Sequence, residues 1–350
     1  MRHTAQSIVL QNNNFDLLRF LFAFIVFLVH AYALSGEYEL LFLNQWLSSE
    51  IAVQSFFIVS GFLIFMSYEN SSTSLRYFEK RARRILPAYI SVIVLVVVAG
   101  FFLTTLPWHE YLSIQTFKYL AANLMFMNFL QPELPGLFAD NRLQAVNGAL
   151  WTLKIEVMFY LSVPVLVWSM GRWGRWQVLL LTYVMSLCYV QMLGWWGERE
   201  GVEHYRELQR QLPGQLSWFI AGATLYYYLG SFKRWWPGLL IVALLLLFFR
   251  SHSDLSWLEP AALAMVVIYA ACLLPGLGRF GKFGDFSYGI YIVHFPILQV
   301  LIAAGLFAWS PVLGLFTAGI LVLTAAILFW HGIEKPFLRR SSHYVEVNRE

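Results

Sequence analysis

Charge is what this chain has least of. Asp, Glu, Lys and Arg make up 13% of its 350 residues, where a soluble domain carries roughly 25%. Together with long apolar runs, that deficit excludes a water-facing globule and places the chain in a bilayer. Cysteine is nearly absent: Cys188 and Cys272 are the two present. Both lie in apolar runs without metal-ligand or redox spacing, so they read as small buried hydrophobes, and no metal site is expected. The net charge of +4 implies no nucleic-acid partner, because excess Lys and Arg in a membrane protein serve topology. Linkers, low-complexity tracts and evident repeats are also missing, which predicts a single membrane domain over 1–350. No signal-peptide cleavage pattern opens the chain, so the first apolar run is expected to stay as a signal anchor. H-E-x-x-H, Walker, EF-hand and G-x-S-x-G patterns do not occur. Residues 276–281 spell G-L-G-R-F-G, the dinucleotide-loop pattern. No strand precedes it, so it fails its context.

What is abundant points the same way. Hydrophobic residues reach 59%, with 30 Phe and 14 Trp, suited to lipid-facing surfaces and interfacial belts. A span needs about 20 apolar residues. Ten candidates lie near 15–34, 49–68, 85–106, 147–168, 176–196, 214–230, 236–250, 257–275, 286–308 and 311–331. The seventh is short, and 117–130 reads as a further interfacial or re-entrant helix. With the N-terminus inside, sixteen Lys and Arg fall in cytoplasmic segments and six outside (Lys118, Arg142, Arg199, Arg206, Arg210, Arg250). That bias predicts cytoplasmic termini. The expected fold is an all-α membrane protein, a polytopic bundle of about ten transmembrane helices.

Ionisable groups within spans are rare and face a bundle interior or a water-filled cavity. Arg19 and His30 share the first span. Eleven residues make three turns plus about 20°, so the two lie on one face, about 16 Å apart along the axis. Arg19 alone also suits a snorkelling anchor, and His30 alone a packed histidine, but the shared face favours a common cavity. The basic loop RYFEKRARRILPAY (76–89) carries Arg81 and Arg84, one turn apart. They serve either topology or a phosphate clamp, since paired guanidiniums suit bidentate phosphate recognition. Lys154 and Glu156 lie on the fourth span and point about 200° apart. Glu156 needs a partner, with Arg19, His30 and His294 as candidates. On the ninth span Asp285 or Ser287 caps the start, and Tyr288, Tyr291 and His294 form a stripe at every third residue. Ser60-Gly61 on the second span is a small pair for close helix approach.

In order along the chain, these segments resemble the acyltransferase 3 family. The likeness runs from about residue 13 to 340. It rests on Arg19–x10–His30, FFIVSGFLI (56–64), RARRILPAY (81–89), WTLKIEVMFY (151–160), SYGIYIVHFP (287–296) and the closing EKP (334–336). Thr152 stands where the family pattern has serine. The resemblance implies ten spans, cytoplasmic termini and a stand-alone member without the SGNH hydrolase-like domain that others carry. It also implies transfer of an acyl group, usually acetyl, in the bacterial cytoplasmic (inner) membrane. The donor would be acetyl-CoA or another acyl-CoA. The acceptor would be a glycan or lipid-linked glycan such as O-antigen or exopolysaccharide.

On that reading Arg81 and Arg84 hold the donor phosphates, and the pantetheine arm runs past Arg19 toward His30. His30 acts as general base or carries the acyl group itself. Glu156 orients or balances it, while His294, Tyr288, Tyr291 and Trp151 line the acceptor path or polarise the carbonyl. The rival class is a secondary transporter or flippase that uses Arg19, His30 and Glu156 as a relay.

Overall fold

The computed structural model describes residues 13–201, 204–232, 234–250, 255–277, 281 and 284–338. Ten main helices follow in order: α1 (Phe15–Ser35), α2 (Ser49–Glu69), α3 (Ser74–Leu103), α4 (Trp151–Trp173), α5 (Arg175–Glu200), α6 (Leu212–Phe232), α7 (Trp236–Phe248), α8 (Glu259–Cys272), α9 (Ser287–Ala303) and α10 (Pro311–Phe329). No strand occurs among the described residues. Among those residues, the helices α1, α2, α3, α4, α5 and α10 are long and apolar enough to cross a membrane, whereas α7, α8 and α9 are shorter. The chain is therefore an all-α membrane bundle, as its hydropathy predicts. The residues Arg2, Lys233, Arg279, Lys282, Arg339, Arg340 and Arg349, which enter the charge count, lie outside the described residues, as does the centre of the G-L-G-R-F-G stretch.

Two expectations change. The basic stretch 76–89 is not a loop but the opening turns of the 30-residue α3. Its Arg, Lys, Glu, Leu and Ala residues are good helix formers, and Pro87 within the helix removes one hydrogen bond without ending it. Cys188 is exposed rather than buried. It lies on α5, where Leu180, Leu181, Val184 and Met185 are exposed too, a surface apolar enough for lipid. The 117–130 stretch holds a helix, Ile114–Leu124, and a short 3-10 turn, Asn128–Leu130.

Contacts divide the chain into two compact units. The first comprises Met1–Leu18, Val53–Phe78 and Ile155–Arg279. At its centre α6 is buried from Ser217 to Ala223 and packs on α5 and α8. Gly61 and Gly222 meet reciprocally between α2 and α6. A Cβ on Gly61 would collide with the Phe219 carbonyl oxygen, and one on Gly222 with the Ile58 carbonyl oxygen. Two backbones this close need residues without side chains. Gly222→Leu should therefore cost about 1–3 kcal/mol or more by overpacking, read as a lower thermal unfolding midpoint in detergent. An unchanged midpoint would show that the helices can part freely. Pro164 within α4 cannot donate to the carbonyl four residues earlier, and the Tyr77 hydroxyl satisfies that Tyr160 oxygen at 3.1 Å.

The second unit comprises Arg19–Ala52, Glu79–Lys154 and Phe280–Glu350. Here α9 and α10 pair closely, and α3 holds the Ile114–Leu124 helix through Tyr89, whose hydroxyl donates to the Asn123 carbonyl at 2.6 Å. The Tyr89 ring stacks on Phe126 at 4.1 Å. The candidate chemistry gathers in this unit.

Candidate active site

Two groups of side chains face each other along α1 and α9. At the start of both helices sits a charge cluster. Asp285 Oδ2 receives Arg19 Nη1 at 3.2 Å and Arg84 Nη2 at 2.5 Å, and Arg84 Nη1 reaches Glu334 Oε2 at 2.9 Å. Both carboxylates are 2% exposed, so paired guanidiniums are what makes their burial tolerable. Asp285 Oδ1 meanwhile accepts from the Ser287 backbone N–H at 3.2 Å and from its hydroxyl. One carboxylate thus caps α9 and anchors two arginines. Glu334 closes a π turn, Trp330–Glu334, at the end of α10. Its other oxygen, Oε1, has no hydrogen-bond partner among the described residues. The Arg84 guanidinium also lies over the rings of Tyr288 and Trp330, at 5.8 and 5.7 Å, and the Tyr288 hydroxyl donates to the Ile85 carbonyl at 3.1 Å. Arg81 lies one turn before Arg84 on α3, half-buried.

Deeper along the same helices lies a histidine pair. His30 Nδ1 and His294 Nε2 are 2.8 Å apart. The two rings lie 5.1 Å apart and 20° from parallel, and His294 is fully buried. Its other nitrogen, Nδ1, faces the Ile290 carbonyl at 3.2 Å. The Phe295 ring packs edge-on against His30 at 5.6 Å. Tyr291 packs against His294 at 5.9 Å, and its hydroxyl shares a 2.7 Å hydrogen bond with Thr152.

Arg19 meets Asp285, and His30 meets His294, so α1 and α9 run the same way. A chain that crosses at every helix requires this of its first and ninth. Arg19 of α1, Arg84 of α3, Asp285 before α9 and Glu334 after α10 gather at one end of the unit.

The wall beyond the histidines is built by backbone economy. Pro296 within α9 leaves the Ile292 carbonyl without its helical donor, and Asn147 Nδ2 fills that place at 2.8 Å. Asn147 Oδ1 in turn accepts from Ala149 N at 3.3 Å, which sets the entry of α4 and so positions Trp151 and Thr152. Fully buried Gln299 donates to the carbonyls of Leu143 and Ala145 at 2.5 and 2.7 Å and accepts from Asn141 at 2.8 Å.

Glu156 belongs to the first unit, where it accepts from the Tyr160 hydroxyl at 2.5 Å. The hydrogen-bond partner of His30 is His294. Lys154 lies 4.6 Å from the Phe129 ring centre, a cation–π contact that suits a cation within an apolar run. Sequence reasoning gave Asp285 only a capping role and Glu334 only a place in a motif. Two acids flanking α9 and α10, next to otherwise apolar runs, were the available signal.

Known proteins match this chain over most of its length. A family described as an acyltransferase domain matches residues 12–331. The O-acetyl transferase of Shigella phage Sf6 is 28% identical over 95% of this chain and 98% of its own. Nodulation protein 10 of Rhizobium leguminosarum bv. viciae is 28% identical over 93% of each. The exopolysaccharide production protein ExoZ of Rhizobium meliloti (strain 1021) is 26% identical over 82% of this chain and 89% of its own. No solved structure gives a significant match.

Proposed function

The chain belongs to the acyltransferase 3 family, and we propose that this membrane acyltransferase moves an acetyl group from cytoplasmic acetyl-CoA to a hydroxyl of a cell-envelope glycan. The observation that carries this is the pairing of two sites along one helix pair. An arginine cluster stands at one end of α1 and a histidine pair stands about 16 Å further along it. That separation suits a donor with an anionic head and a reactive thioester at the end of an extended arm. The names of the phage O-acetyl transferase and the exopolysaccharide protein favour acetyl as the group and a polysaccharide as the acceptor.

The orientation proposed puts both termini and the arginine end in the cytoplasm of a bacterium, with the membrane as the inner one. Arg81 and Arg84 take the donor phosphates through charge-assisted hydrogen bonds, and Asp285 and Glu334 hold Arg84 in place before the donor arrives. The arm passes Arg19. His30 removes the proton of the acceptor hydroxyl as that oxygen attacks the thioester carbonyl. The carbon–sulfur bond then breaks, CoA leaves as thiolate and takes a proton, and the ester remains on the glycan. Tyr291, Thr152 and Trp151 line the acceptor side with His294 behind them. Tyr288 stays with the donor, beside Arg84.

The test is purified protein in lipid nanodiscs given acetyl-CoA with and without an envelope glycan fraction. Free CoA should accumulate only with the acceptor, and the glycan should gain the mass of one acetyl group per CoA released. Acceptor-independent CoA release would make the protein a thioesterase. Substrate movement across the bilayer without CoA release would make it a transporter.

A further inference from the structure

The histidine pair holds more information than a contact. A backbone carbonyl only accepts hydrogen bonds. At 3.2 Å from the Ile290 oxygen, His294 Nδ1 must carry the proton, since a bare nitrogen there would set lone pair against lone pair. In a neutral imidazole only one nitrogen is protonated, so His294 Nε2 is bare and accepts. Its 2.8 Å neighbour, His30 Nδ1, must then donate. His30 Nε2 is left as the nitrogen with the free lone pair. The proton positions follow from the acceptor at the end of the chain.

We propose that His294 is a positioning residue that locks His30 in its Nδ1–H tautomer and thereby makes Nε2 the base that meets the acceptor hydroxyl. The inference rests on His30 being the base of the proposed reaction. It replaces a role for His294 on the substrate with a role behind the catalytic group. Three features support it. His294 is fully buried, so it reaches His30 rather than a soluble substrate. Its carbonyl partner lies four residues earlier on its own helix, so the anchor is as rigid as α9. The rings of His30, His294 and Phe295 pack against one another, which holds the imidazoles in the orientation the hydrogen bonds require. When His30 takes a proton at Nε2 it becomes a cation with two donors. Nδ1–H already points at a bare nitrogen, which favours the charged form that arises as the acceptor attacks. An orienting partner that fixes the tautomer of a catalytic histidine is the general logic of nucleophile–base–orienter arrangements. Here a second imidazole fills the place usually taken by a carboxylate.

The test reads the tautomer directly. Nitrogen-15 histidine is incorporated into the protein in nanodiscs, and the His30 signals are assigned by their loss in His30→Gln. In the unaltered protein His30 should show a protonated, pyrrole-type Nδ1 and a bare, pyridine-type Nε2. His294→Leu should shift His30 away from that tautomer and lower kcat on the order of a hundredfold, with KM for acetyl-CoA little changed. His294→Gln keeps an acceptor oxygen near the place of Nε2, so it should keep the tautomer and most of kcat. That variant also answers whether a loss in His294→Leu is only misfolding. A protonated Nε2 on His30 in the unaltered protein, or full kcat in His294→Leu, overturns the inference while leaving His30 as base untouched. Loss of the base assignment itself is read separately, from His30→Ala.

Discussion

His30→Ala is expected to remove nearly all acetyl transfer while leaving the protein folded in its membrane. Its side chain is half-buried, and its hydrogen bond is to a histidine held independently by the Ile290 carbonyl. Removing it therefore costs the fold little, and the unfolding midpoint should shift by no more than a few degrees. The chemistry suffers far more. A positioned general base contributes roughly a hundred- to ten-thousandfold, and kcat should fall by that factor. KM for acetyl-CoA should stay close to its starting value, because the proposed site for the donor's charge lies at the other end of α1. Steady-state CoA release in nanodiscs, with acceptor saturating, separates the two parameters. Turnover at the normal rate would remove His30 from the chemistry. A parallel loss of kcat and melting temperature would make it a packing residue.

The second large effect is expected at Asp285, and there it falls on stability. The Asp285 carboxylate is shared by Arg19 and Arg84 and also caps α9 through Ser287. Breaking a buried ion pair by removing one partner costs about 3–5 kcal/mol, because buried charge is left uncompensated. Asp285→Ala removes charge and cap together. Asp285→Asn keeps the shape and an oxygen that can still accept from Ser287, and it removes only the charge. Both should lower the unfolding midpoint and the yield of monodisperse protein, with Asp285→Ala the worse of the two. Asp285→Asn should also raise KM for acetyl-CoA, since Arg84 loses its fixed orientation. Should Asp285→Asn melt with the unaltered protein and bind donor equally well, the cluster is an ornament of the fold. A charge-reversing pair, Asp285→Arg with Arg84→Asp, is a poor rescue, because Glu334 would then face a carboxylate where it now meets Arg84 Nη1.

Much of this was legible in the sequence, for identifiable reasons. Membrane helices announce themselves because each must satisfy its own backbone and present apolar side chains to lipid. All ten apolar runs accordingly became helices. The common face of Arg19 and His30 was legible because helical geometry converts a spacing of eleven into an angle. What stayed hidden depends on contacts across the chain. His30 and His294 are 264 residues apart, and no periodicity links them. Asp285 looked like a cap, and it is one, but its second oxygen serves two arginines brought from α1 and α3. Tyr160, one turn along its own helix, donates to Glu156, a pairing that the sequence reading did not include. The basic stretch before Pro87 read as a loop because hydropathy marks where apolar residues begin, not where helical hydrogen bonds begin. Asn147 illustrates a subtler limit. Its partner carbonyl is open only because Pro296 sits four residues beyond Ile292, a link that needs the two segments placed side by side.

The two meetings between α1 and α9 also act as a count. Eleven residues separate them on α1, about 16 Å of rise, and nine separate Asp285, just before α9, from His294 on it. Inserting one residue into the first interval would swing His30 about 100° around its axis relative to Arg19. Inserting four would restore the direction nearly but carry His30 about 6 Å deeper. Neither change would be visible in hydropathy, and on the proposed reading either would uncouple the head of the donor from its reactive end. The exposed positions of the apolar run from Phe20 to Val29 can therefore drift in composition, while the buried Ala23, Val26, Phe27 and Val29 and the length of the run cannot.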